Sequence, residues 1–538
     1  MSTPLRRPPM PKLPPFALAE MEPARPRRPW YLAVFFVLFT APLFLIHLHL
    51  LGLPFFWDEL GQFIPTALDL LRTGAWVAHS TIPNVHPPGV EAYLVLWYKL
   101  FGYSIPVTRA AMLFLAGGGL LATFLLAIEL SKGTRGAPAF LPPLFLFASP
   151  LFYAQSMMAQ LDMPAMVFTL LALVLFVKRQ YRAASLVCVL LVLTKETGLV
   201  APLVFLAVLA WRKEWQSASL FLAPFLMLAA WLSVLHHATG YWLGNPGFTH
   251  YNVAYALHPV RMAVSVARHA YYLFIAEFRW IGTLVLFLTW RDCKKVFTQG
   301  SWRVVALVAA ANALLVSALG GAELERYLLP VLPVFYIGVG VGISCLHRRW
   351  LGIAAVAGIV IGQFVNLFWN PPYPFPYENN YAMVDFVRLQ QLAANIAERS
   401  FANRRIATAW PYTAALGNPD FGFVRHGLTT VETSDFHTAS ILALSPDSFD
   451  VLITYTRTWN PHNGVIVIPF VRRLLTKFYE WQPEISVADC ARLGLRPAVS
   501  WSMRGQQITI YVRQRKPTEK TIALRPDQVG IYRSAQQS

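Results

Sequence analysis

The chain has 538 residues, of which 56% are hydrophobic and only 13% are charged. Soluble globular proteins carry roughly 25% charged residues, so this composition excludes an ordinary soluble enzyme. The formal net charge of +18 would suit a nucleic-acid-binding protein. Much of the basic charge, however, lies in short clusters between hydrophobic runs. This pattern is typical of a multi-pass membrane protein and argues against nucleic acid as a partner.

The chain begins with a basic, proline-rich segment, residues 1–29, which predicts a cytoplasmic tail. The apolar run after it is too long for a signal-peptide core, so we interpret it as an uncleaved first span. Similar runs, long enough to cross a bilayer core of about 30 Å, recur through the first two thirds of the chain. The predicted spans are 30–51, 106–130, 138–157, 163–178, 183–194, 198–211, 216–236, 270–290, 303–320, 327–346 and 350–369.

Short basic loops orient these spans, because Lys and Arg are enriched in cytoplasmic loops. The loops at 178–182 and 212–213 can both be cytoplasmic only if the chain crosses the membrane twice between them. Two short spans must therefore meet on the outer side at Lys195 and Glu196. The result is a multi-pass protein of the inner (plasma) membrane with about eleven spans and a cytoplasmic N-terminus. The basic loops contain Lys132 and Arg135; Lys178, Arg179 and Arg182; Arg212 and Lys213; Arg291, Lys294 and Lys295; and His347, Arg348 and Arg349.

Two regions outside the spans are long enough to carry function. A long outer loop, 52–105, belongs to the transmembrane module 30–370. Residues 371–538 are predicted to form an extracytoplasmic α/β domain after a stiff proline-rich linker at 370–377. In this domain, 381–400 resembles an amphipathic helix, and short apolar runs between turn signals predict strands. These runs are 406–409, 451–455, 465–469 and 508–512.

The four cysteines are Cys188, Cys293, Cys345 and Cys490. Their spacing does not match a metal site, and no disulfide framework is expected.

Carboxylates occur at predicted outer ends of spans, where topology does not require them. Asp58 and Glu59 directly follow the first span, although adjacent carboxylates repel each other. One explanation is that Asp58 caps a helix over 59–72; the other is a general base or metal ligand. Asp162 precedes Pro164 at the start of the fourth span, which is also typical of a helix N-terminus. Charges beside a bilayer are costly and often mark functional sites.

Two cations lie on the same predicted face. Lys195, at the break between the two short spans, either extends to the interface or meets an anionic group in a cavity. Arg326 either pairs with Glu323 or binds a phosphate through its planar guanidinium. His86 precedes two prolines and an apolar segment, 89–101, which predicts an interfacial or re-entrant helix. Carboxylates and cations on one face suit a substrate whose charged head lies at the interface.

In their order along the chain, these residues resemble the GT-C superfamily of membrane glycosyltransferases. Within it, the chain is most similar to the protein O-mannosyltransferase and lipid A aminoarabinose transferase group. The similarity covers roughly residues 30–350, and residues 371–538 match no domain of the group. The matching segments are Asp58-Glu59, Gly74-Ala75-Trp76, His86-Pro87-Pro88, Leu100-Phe101-Gly102, Arg109, Asp162-Met163-Pro164, Lys195 and Arg326-Tyr327-Leu328-Leu329-Pro330-Val331-Leu332-Pro333.

The resemblance implies a polyprenyl-phosphate-linked sugar donor and a lipid, glycan or protein acceptor reached from the outer face. It implies that Asp58 or Glu59 acts at the reaction centre and that Asp162 helps to form the site. Lys195 and Arg326 are expected near the donor phosphate. A single base without a second, nucleophilic carboxylate predicts inversion at the anomeric carbon.

Tyr327 and His86 are further substrate-binding candidates. Some relatives bind a divalent metal, for which Glu59, His86, Asp162 and His250 would be available, but their spacing predicts no metal site. Outside this class, a transporter or lipid flippase would also place charges and broken helices in a membrane. Against it, the charges cluster on one face and the sequence has no inverted repeat. A non-catalytic membrane assembly protein is a further alternative.

Overall fold

The computed structural model describes residues 30–132, 138–458 and 466–514. The basic tail 1–29 and Arg135, on which part of the topology prediction rests, lie outside these ranges. The described chain is mostly helical and contains a five-stranded sheet near its C-terminal end. The helices are α1 (Trp30–His47), α2 (Ile64–Thr73), α3 (Gly89–Phe101), α4 (Ile105–Leu130), α5 (Leu141–Ala148), α6 (Pro150–Ser156), α7 (Asp162–Val177), α8 (Tyr181–Thr194), α9 (Val200–Trp211), α10 (Trp215–Leu220), α11 (Ala223–Thr239), α12 (Pro246–Thr249), α13 (Pro259–Phe274), α14 (Arg279–Phe297), α15 (Gly300–Ala318), α16 (Leu332–Ser344), α17 (Arg349–Phe368), α18 (Ala382–Phe401), α19 (Tyr412–Gly417), α20 (Thr438–Leu442), α21 (Pro469–Tyr479) and α22 (Val487–Arg492).

Five helical segments in the described ranges are long and apolar enough to cross a membrane: Trp30–Leu50, α4, Trp215–Thr239, α15 and α17. Helices α13 and α14 add a sixth if this pair, bent by 81°, counts as one broken span. Four further apolar helices are shorter. The predicted count of eleven spans is therefore not confirmed. One physical reason is that proline interrupts predicted spans, as at Pro150, where 138–157 divides into α5 and α6.

The two short spans predicted at 183–194 and 198–211 correspond to the separate helices α8 and α9. A 3₁₀ turn, Glu196–Leu199, joins them. Lys195 has extended backbone angles, φ −155° and ψ 128°, and so ends α8 at the predicted break. The segment predicted as an interfacial or re-entrant helix forms the 13-residue helix α3.

Helix α4 packs closely against both α1 and α7 in the helical bundle. At Gly117 of α4, a Cβ atom would lie only 2.1 Å from Thr40 Oγ1 of α1. The absence of a side chain therefore allows the two helices to approach, as is common where helices pack in membranes.

The C-terminal domain contains a mixed sheet of five strands. The strands are β1 (Ile406–Ala409), β2 (Thr430–Thr433), β3 (Val451–Tyr455), β4 (Leu495–Met503) and β5 (Gln506–Arg513). Their order in the sheet is β2-β1-β3-β5-β4. Strand β1 is parallel to β2 and β3, whereas β5 is antiparallel to β3 and β4. Helix α18 packs on β5 and β4 and accounts for the predicted amphipathic helix.

Sequence patterns located the apolar strands of this sheet but not the others. Runs predicted at 406–409, 451–455 and 508–512 lie in β1, β3 and β5. The strand predicted at 465–469 is wrong, because its described part is a turn and the first residue of α21. Strands β2 and β4 were missed because solvent-exposed residues dilute their apolar pattern.

The domain packs against the start of the first outer loop. The Trp57 and Trp410 ring centroids are 6.2 Å apart, and Arg457 Cζ lies 5.4 Å from the centroid of Trp57. A Cβ atom on Gly61 would lie only 2.0 Å from Trp410 Cζ2. The C-terminal domain and the first outer loop are therefore in close contact at this point.

Helices α14 and α16 also pack together, and Cys293 and Cys345 form a disulfide between them, with Cα atoms 6.6 Å apart. The sequence predicts no disulfide framework, and this single disulfide was not anticipated. The two residues are 52 positions apart, so only tertiary packing brings them together.

Cysteine labelling tests the predicted topology. Ile82 and Gln180 are exposed, whereas the native Cys188 and Cys490 are buried and should not react. In intact cells, a membrane-impermeant maleimide is expected to label Ile82→Cys, but to label Gln180→Cys only after permeabilisation.

Labelling of Gln180→Cys in intact cells would contradict the predicted pair of short spans, and with it the outer placement of Lys195. The unmodified chain is the control for background reaction.

Candidate functional site

One buried arginine forms ion pairs with three carboxylates from distant parts of the chain. Arg326, in the 3₁₀ turn before α16, is only 5% exposed. Its Nη1 donates to Glu378 Oε2 at 3.1 Å, and its Nε lies 3.1 Å from Asp162 Oδ2. Asp58 Oδ2 and Gln160 Oε1 also accept from the guanidinium. A buried charge requires such partners, because it has lost its hydration.

Lys195 joins this group through Asp162. Its Nζ donates to Asp162 Oδ1 at 2.5 Å and lies 4.4 Å from the Tyr327 ring centroid. The carboxylate of Asp162 is thus shared by two cations, while the aromatic face adds a cation–π contact to one of them. Lys195 can reach Asp162 because α8 ends at Thr194 and the backbone becomes extended. Asp58, Asp162, Lys195, Arg326 and Glu378 are hereafter the Arg326 cluster.

The three carboxylates of the cluster differ in accessibility. The side chain of Asp58 is 19% exposed, whereas those of Asp162 and Glu378 are each 5% exposed. Asp58 makes no side-chain hydrogen bond as an N-cap, so the capping explanation is not supported. The preceding Trp57 has φ +39°, an uncommon angle for a bulky residue, and this turn directs the chain into the cluster. Asp58 is therefore the carboxylate best placed to meet a substrate.

Charge in the cluster is unbalanced, with three carboxylates and two cations. Burial raises the pKa of Glu378 to about 7, although Arg326 opposes the shift. The Oε1 atom of Glu378 has no hydrogen-bond partner among the described residues. Protonation of this one carboxyl would make the cluster neutral.

Glu59 lies on a different side of the chain from Asp58. It is fully buried, and its Oε1 accepts from Arg109 Nη1 at 2.5 Å and from the Ala159 amide at 2.6 Å. Arg109 also donates to the Met157 carbonyl at 2.9 Å. The two adjacent carboxylates thus avoid each other by pairing with different arginines. The Glu59 pair also holds the loop that leads to Gln160 and Asp162.

His86 pairs with a neighbour of the cluster. Its Nδ1 lies 2.7 Å from Glu196 Oε2, and Glu196 is the next residue after Lys195. The ring of His86 also meets that of Phe248, with centroids 5.5 Å apart. His86 therefore borders the Arg326 cluster, and its role in substrate binding stays a prediction.

The residues available to a metal are not brought together. Glu59 pairs with Arg109, His86 with Glu196, and Asp162 with Lys195 and Arg326. His250 begins a short π-helical segment, His250–Ala254, between α12 and α13. Within the part of the chain that the structure describes, no group of three or more His, Cys, Asp or Glu residues could hold a metal ion.

Glu378 is the cluster residue that sequence reasoning missed. It follows the proline-rich stretch interpreted as a linker, so its position relative to the spans was not constrained. One signal was available: Glu378 comes soon after the last predicted span, as Asp58 comes soon after the first.

No protein-family model matches the chain, and no curated protein sequence matches it. The structure of ArnT from Cupriavidus metallidurans bound to undecaprenyl phosphate is similar, with a TM-score of 0.51 at 13% identity, over 90% of this chain and 98% of ArnT. Two further structures align with lower TM-scores. The oligosaccharyltransferase AglB from Archaeoglobus fulgidus, in complex with an inhibitory peptide and a dolichol-phosphate, has a TM-score of 0.48. Its identity is 9%, over 79% of this chain and 69% of AglB. The arabinofuranosyltransferase AftD from Mycobacteria has a TM-score of 0.39 at 11% identity, over 91% of this chain and 40% of AftD.

The ArnT comparison therefore shows a similar fold, in agreement with the resemblance found in the sequence. This likeness and the apolar helices together indicate a membrane protein.

Stability measurements test the different structural roles of the adjacent carboxylates Asp58 and Glu59. Glu59→Gln leaves Arg109 buried without its counter-charge, so it is expected to reduce the free energy of unfolding by about 3–5 kcal/mol. Asp58→Asn is expected to reduce the free energy of unfolding much less, because Arg326 keeps its contacts with Asp162 and Glu378. Thermal unfolding of the purified protein in detergent measures both.

The matched control is the double variant Glu59→Gln, Arg109→Met, in which no unpaired charge stays behind. Equal loss of stability in Asp58→Asn and Glu59→Gln would contradict the different roles inferred here.

Proposed function

We propose that the chain is a membrane glycosyltransferase that moves a sugar from a polyprenyl-phosphate-linked donor to an acceptor at the outer face of the inner membrane. The Arg326 cluster carries this proposal, because it combines two cations suited to a phosphate with an accessible carboxylate. The structure of ArnT, which has a similar fold, is bound to undecaprenyl phosphate. That likeness supports a lipid-linked donor for this chain.

Lys195 and Arg326 are proposed to bind the donor phosphate. The planar guanidinium can donate to two phosphate oxygens, and Lys195 adds a compact charge. Both cations already contact carboxylates, so the phosphate must replace some of these contacts. Glu378 is the carboxylate most readily displaced, because burial raises its pKa to about 7 and protonation removes its charge. The ring of Tyr327 contacts Lys195 Nζ and adds a cation–π interaction.

In the proposed reaction, Asp58 removes a proton from an acceptor hydroxyl or amine. The freed electron pair attacks the anomeric carbon as the bond from this carbon to the phosphate oxygen breaks. The leaving polyprenyl phosphate carries the electron pair away, and Arg326 and Lys195 stabilise its charge in a partly dry site. A single base and direct attack give inversion.

Glu59 is proposed to position this machinery, since its carboxylate is fully buried against Arg109. Asp162 holds both cations and is proposed to orient them towards the phosphate. His86 is proposed to support Lys195 through Glu196, which it contacts directly.

Substitution of Asp58 tests the general base. Asp58→Asn keeps the size of the side chain but cannot accept a proton, so transfer from undecaprenyl-phosphate-linked sugars is expected to fall about 10²–10⁴-fold. Binding of undecaprenyl phosphate should change little. Arg326→Lys keeps the charge but loses the bidentate fork, so both binding and transfer should fall, by roughly tenfold or more.

Folding of both variants is checked by thermal unfolding. A folded Asp58→Asn protein with full activity would contradict the base assignment. Undecaprenyl phosphate binding that is equal in wild type and Arg326→Lys would contradict the phosphate assignment.

The pH dependence of donor binding tests Glu378. Its pKa of about 7 is above the ordinary value, so it is protonated in acid and ionised at alkaline pH. Below pH 7 the neutral carboxyl competes less for Arg326, and undecaprenyl phosphate should bind more tightly than at pH 8. One proton permits at most about a tenfold change per pH unit. Isothermal calorimetry between pH 5.5 and 8.5 measures the effect.

Glu378→Gln is the matched control, because it is neutral at every pH. The phosphate itself titrates near pH 6, so the difference between the two proteins reports Glu378 alone. Identical pH profiles would contradict the role of this carboxyl.

A further inference from the structure

A cavity of about 470 Å³ lies at the start of α8, at the end of this helix that is far from the Arg326 cluster. The turn before α8, the first turn of α8 and one side of α10 form its walls. Helix α8 has 14 residues and ends next to Lys195, so roughly 21 Å of helix separates the cavity from the cluster. The volume of the cavity is within the range of small-molecule sites, roughly 300–1,000 Å³. The proposed transfer reaction does not use it.

Two arginines line this cavity without a counter-charge. Arg179 and Arg182 are both exposed, and neither forms an ion pair with a residue in the described ranges. The preceding Lys178 is different, because its Nζ lies 3.7 Å from Glu129 Oε1. A guanidinium can donate to two oxygens of one phosphate. The two arginines therefore favour an anionic ligand that carries a phosphate group.

A third arginine adds to the positive charge. Arg212, at the end of α9, lies within electrostatic range of Tyr181, a residue that lines the cavity. The Nε atom of Arg212 is buried and has no hydrogen-bond partner among the described residues. Glu214 lies within range of the same tyrosine, so three arginines surround the cavity with one carboxylate. The net charge at this point is positive and attracts an anion.

The two turns that carry these residues share a pattern. Lys178-Arg179-Gln180-Tyr181 follows α7, and Arg212-Lys213-Glu214-Trp215 follows α9; each has two basic residues, a polar residue and an aromatic residue. The second basic residue is left-handed in both turns, with φ +59° at Arg179 and +61° at Lys213. Because this conformation favours glycine, a long basic side chain is kept there at an energetic cost. Such residues are concentrated at functional sites.

Two exposed tryptophans place the cavity at the membrane surface. Trp211 and Trp215 precede and follow the turn between α9 and α10, and tryptophan is enriched where a membrane meets water. Helices α8 and α9, with 14 and 12 residues, reach roughly 21 and 18 Å, less than a bilayer core of about 30 Å. A bilayer adapts to short spans by thinning. Lipid headgroups are therefore drawn towards the cavity.

An exposed apolar strip leads away from the cavity along α8. Leu186 and Leu190 follow Arg182 at intervals of four residues, so the three side chains lie on one face of the helix. Both leucines are exposed. Acyl chains joined to a phosphate at Arg182 would lie against these two leucines. A free phosphate ion would gain nothing from the strip, so the arrangement favours a lipid.

We propose that this cavity binds the headgroup of an anionic phospholipid from the membrane leaflet at this end of α8. The arginines contact the phosphate, and the acyl chains lie along the apolar strip. Because the cavity is positively charged, an anionic headgroup is preferred to a zwitterionic one, whose cation is repelled. This inference does not depend on the proposed transferase function.

Native mass spectrometry of the delipidated full chain in detergent tests the proposal. The probes are dioleoylphosphatidylglycerol, which is anionic, and dioleoylphosphatidylcholine, which is zwitterionic and has the same acyl chains. The anionic lipid is expected to bind at least about tenfold more tightly. The double variant Arg179→Asn, Arg182→Gln removes both lining charges and should weaken this binding about ten- to thirtyfold. Asn is used at position 179 because it tolerates a left-handed angle.

The matched control is Arg348→Gln, Arg349→Gln, which removes the same charge from another exposed basic loop outside the cavity. Its binding of the anionic lipid should stay close to that of the wild type. Equal loss in the two double variants would show a diffuse electrostatic attraction and overturns the proposal, as does equal affinity for the two lipids. Loss in Arg326→Lys but not in the variant of Arg179 and Arg182 assigns the lipid to the Arg326 cluster and also overturns it.

Glycerol 3-phosphate distinguishes a lipid from a soluble phosphate. It should not displace the anionic lipid at equal concentration; if it does, the apolar strip contributes nothing and the lipid assignment is wrong. Thermal unfolding checks that the variants are folded. If the double variant is unstable, Arg182→Gln alone leaves the turn unchanged and is expected to weaken binding about three- to tenfold. Unchanged affinity in this single variant overturns the proposal.

Discussion

The pairing of Arg326 is the interaction on which the site depends. A buried guanidinium must keep its counter-charges, and breaking such a pair costs about 3–5 kcal/mol. The partners of Arg326 come from the loop after α1, the start of α7 and the segment after α17. These three segments are therefore held around one side chain. The C-terminal domain is tied to the same point, because Glu378 lies at its beginning and Trp57 packs against Trp410.

A second buried pair sets the direction of Asp58. Glu59 is anchored on Arg109 in the bundle, and the left-handed angle at Trp57 turns the chain immediately before Asp58. The adjacent carboxylates consequently point to different arginines, and their mutual repulsion is small. Of the two, only the side chain of Asp58 is partly exposed. The different surroundings of Asp58 and Glu59 thus follow from burial, which the sequence motif alone does not reveal.

The order of the apolar segments explains which parts of the site could be predicted. Asp58, Asp162, Lys195 and Arg326 lie at the ends of apolar segments, so the alternation of spans was enough to place them on one face. The structure brings these four into contact. Glu378 follows a proline-rich stretch without such a constraint, and its contact with Arg326 depends on tertiary packing. The disulfide Cys293–Cys345 likewise depends on tertiary packing and was not predicted. The exposed strands β2 and β4 lack a clear apolar pattern and were missed. The apolar strands, in contrast, were predicted from their local pattern.

The Arg326 cluster gives the proline-rich segment a role beyond that of a spacer. Glu378 and Asn379 are consecutive and contact Arg326 and Glu325, which are also consecutive. Two neighbouring contacts therefore hold the segment after α17 against the 3₁₀ turn that carries Arg326. Because Glu378 and Asn379 share a peptide bond, the position of one side chain restricts that of the other. The start of the C-terminal domain is thus held at the cluster by two contacts rather than by Glu378 alone.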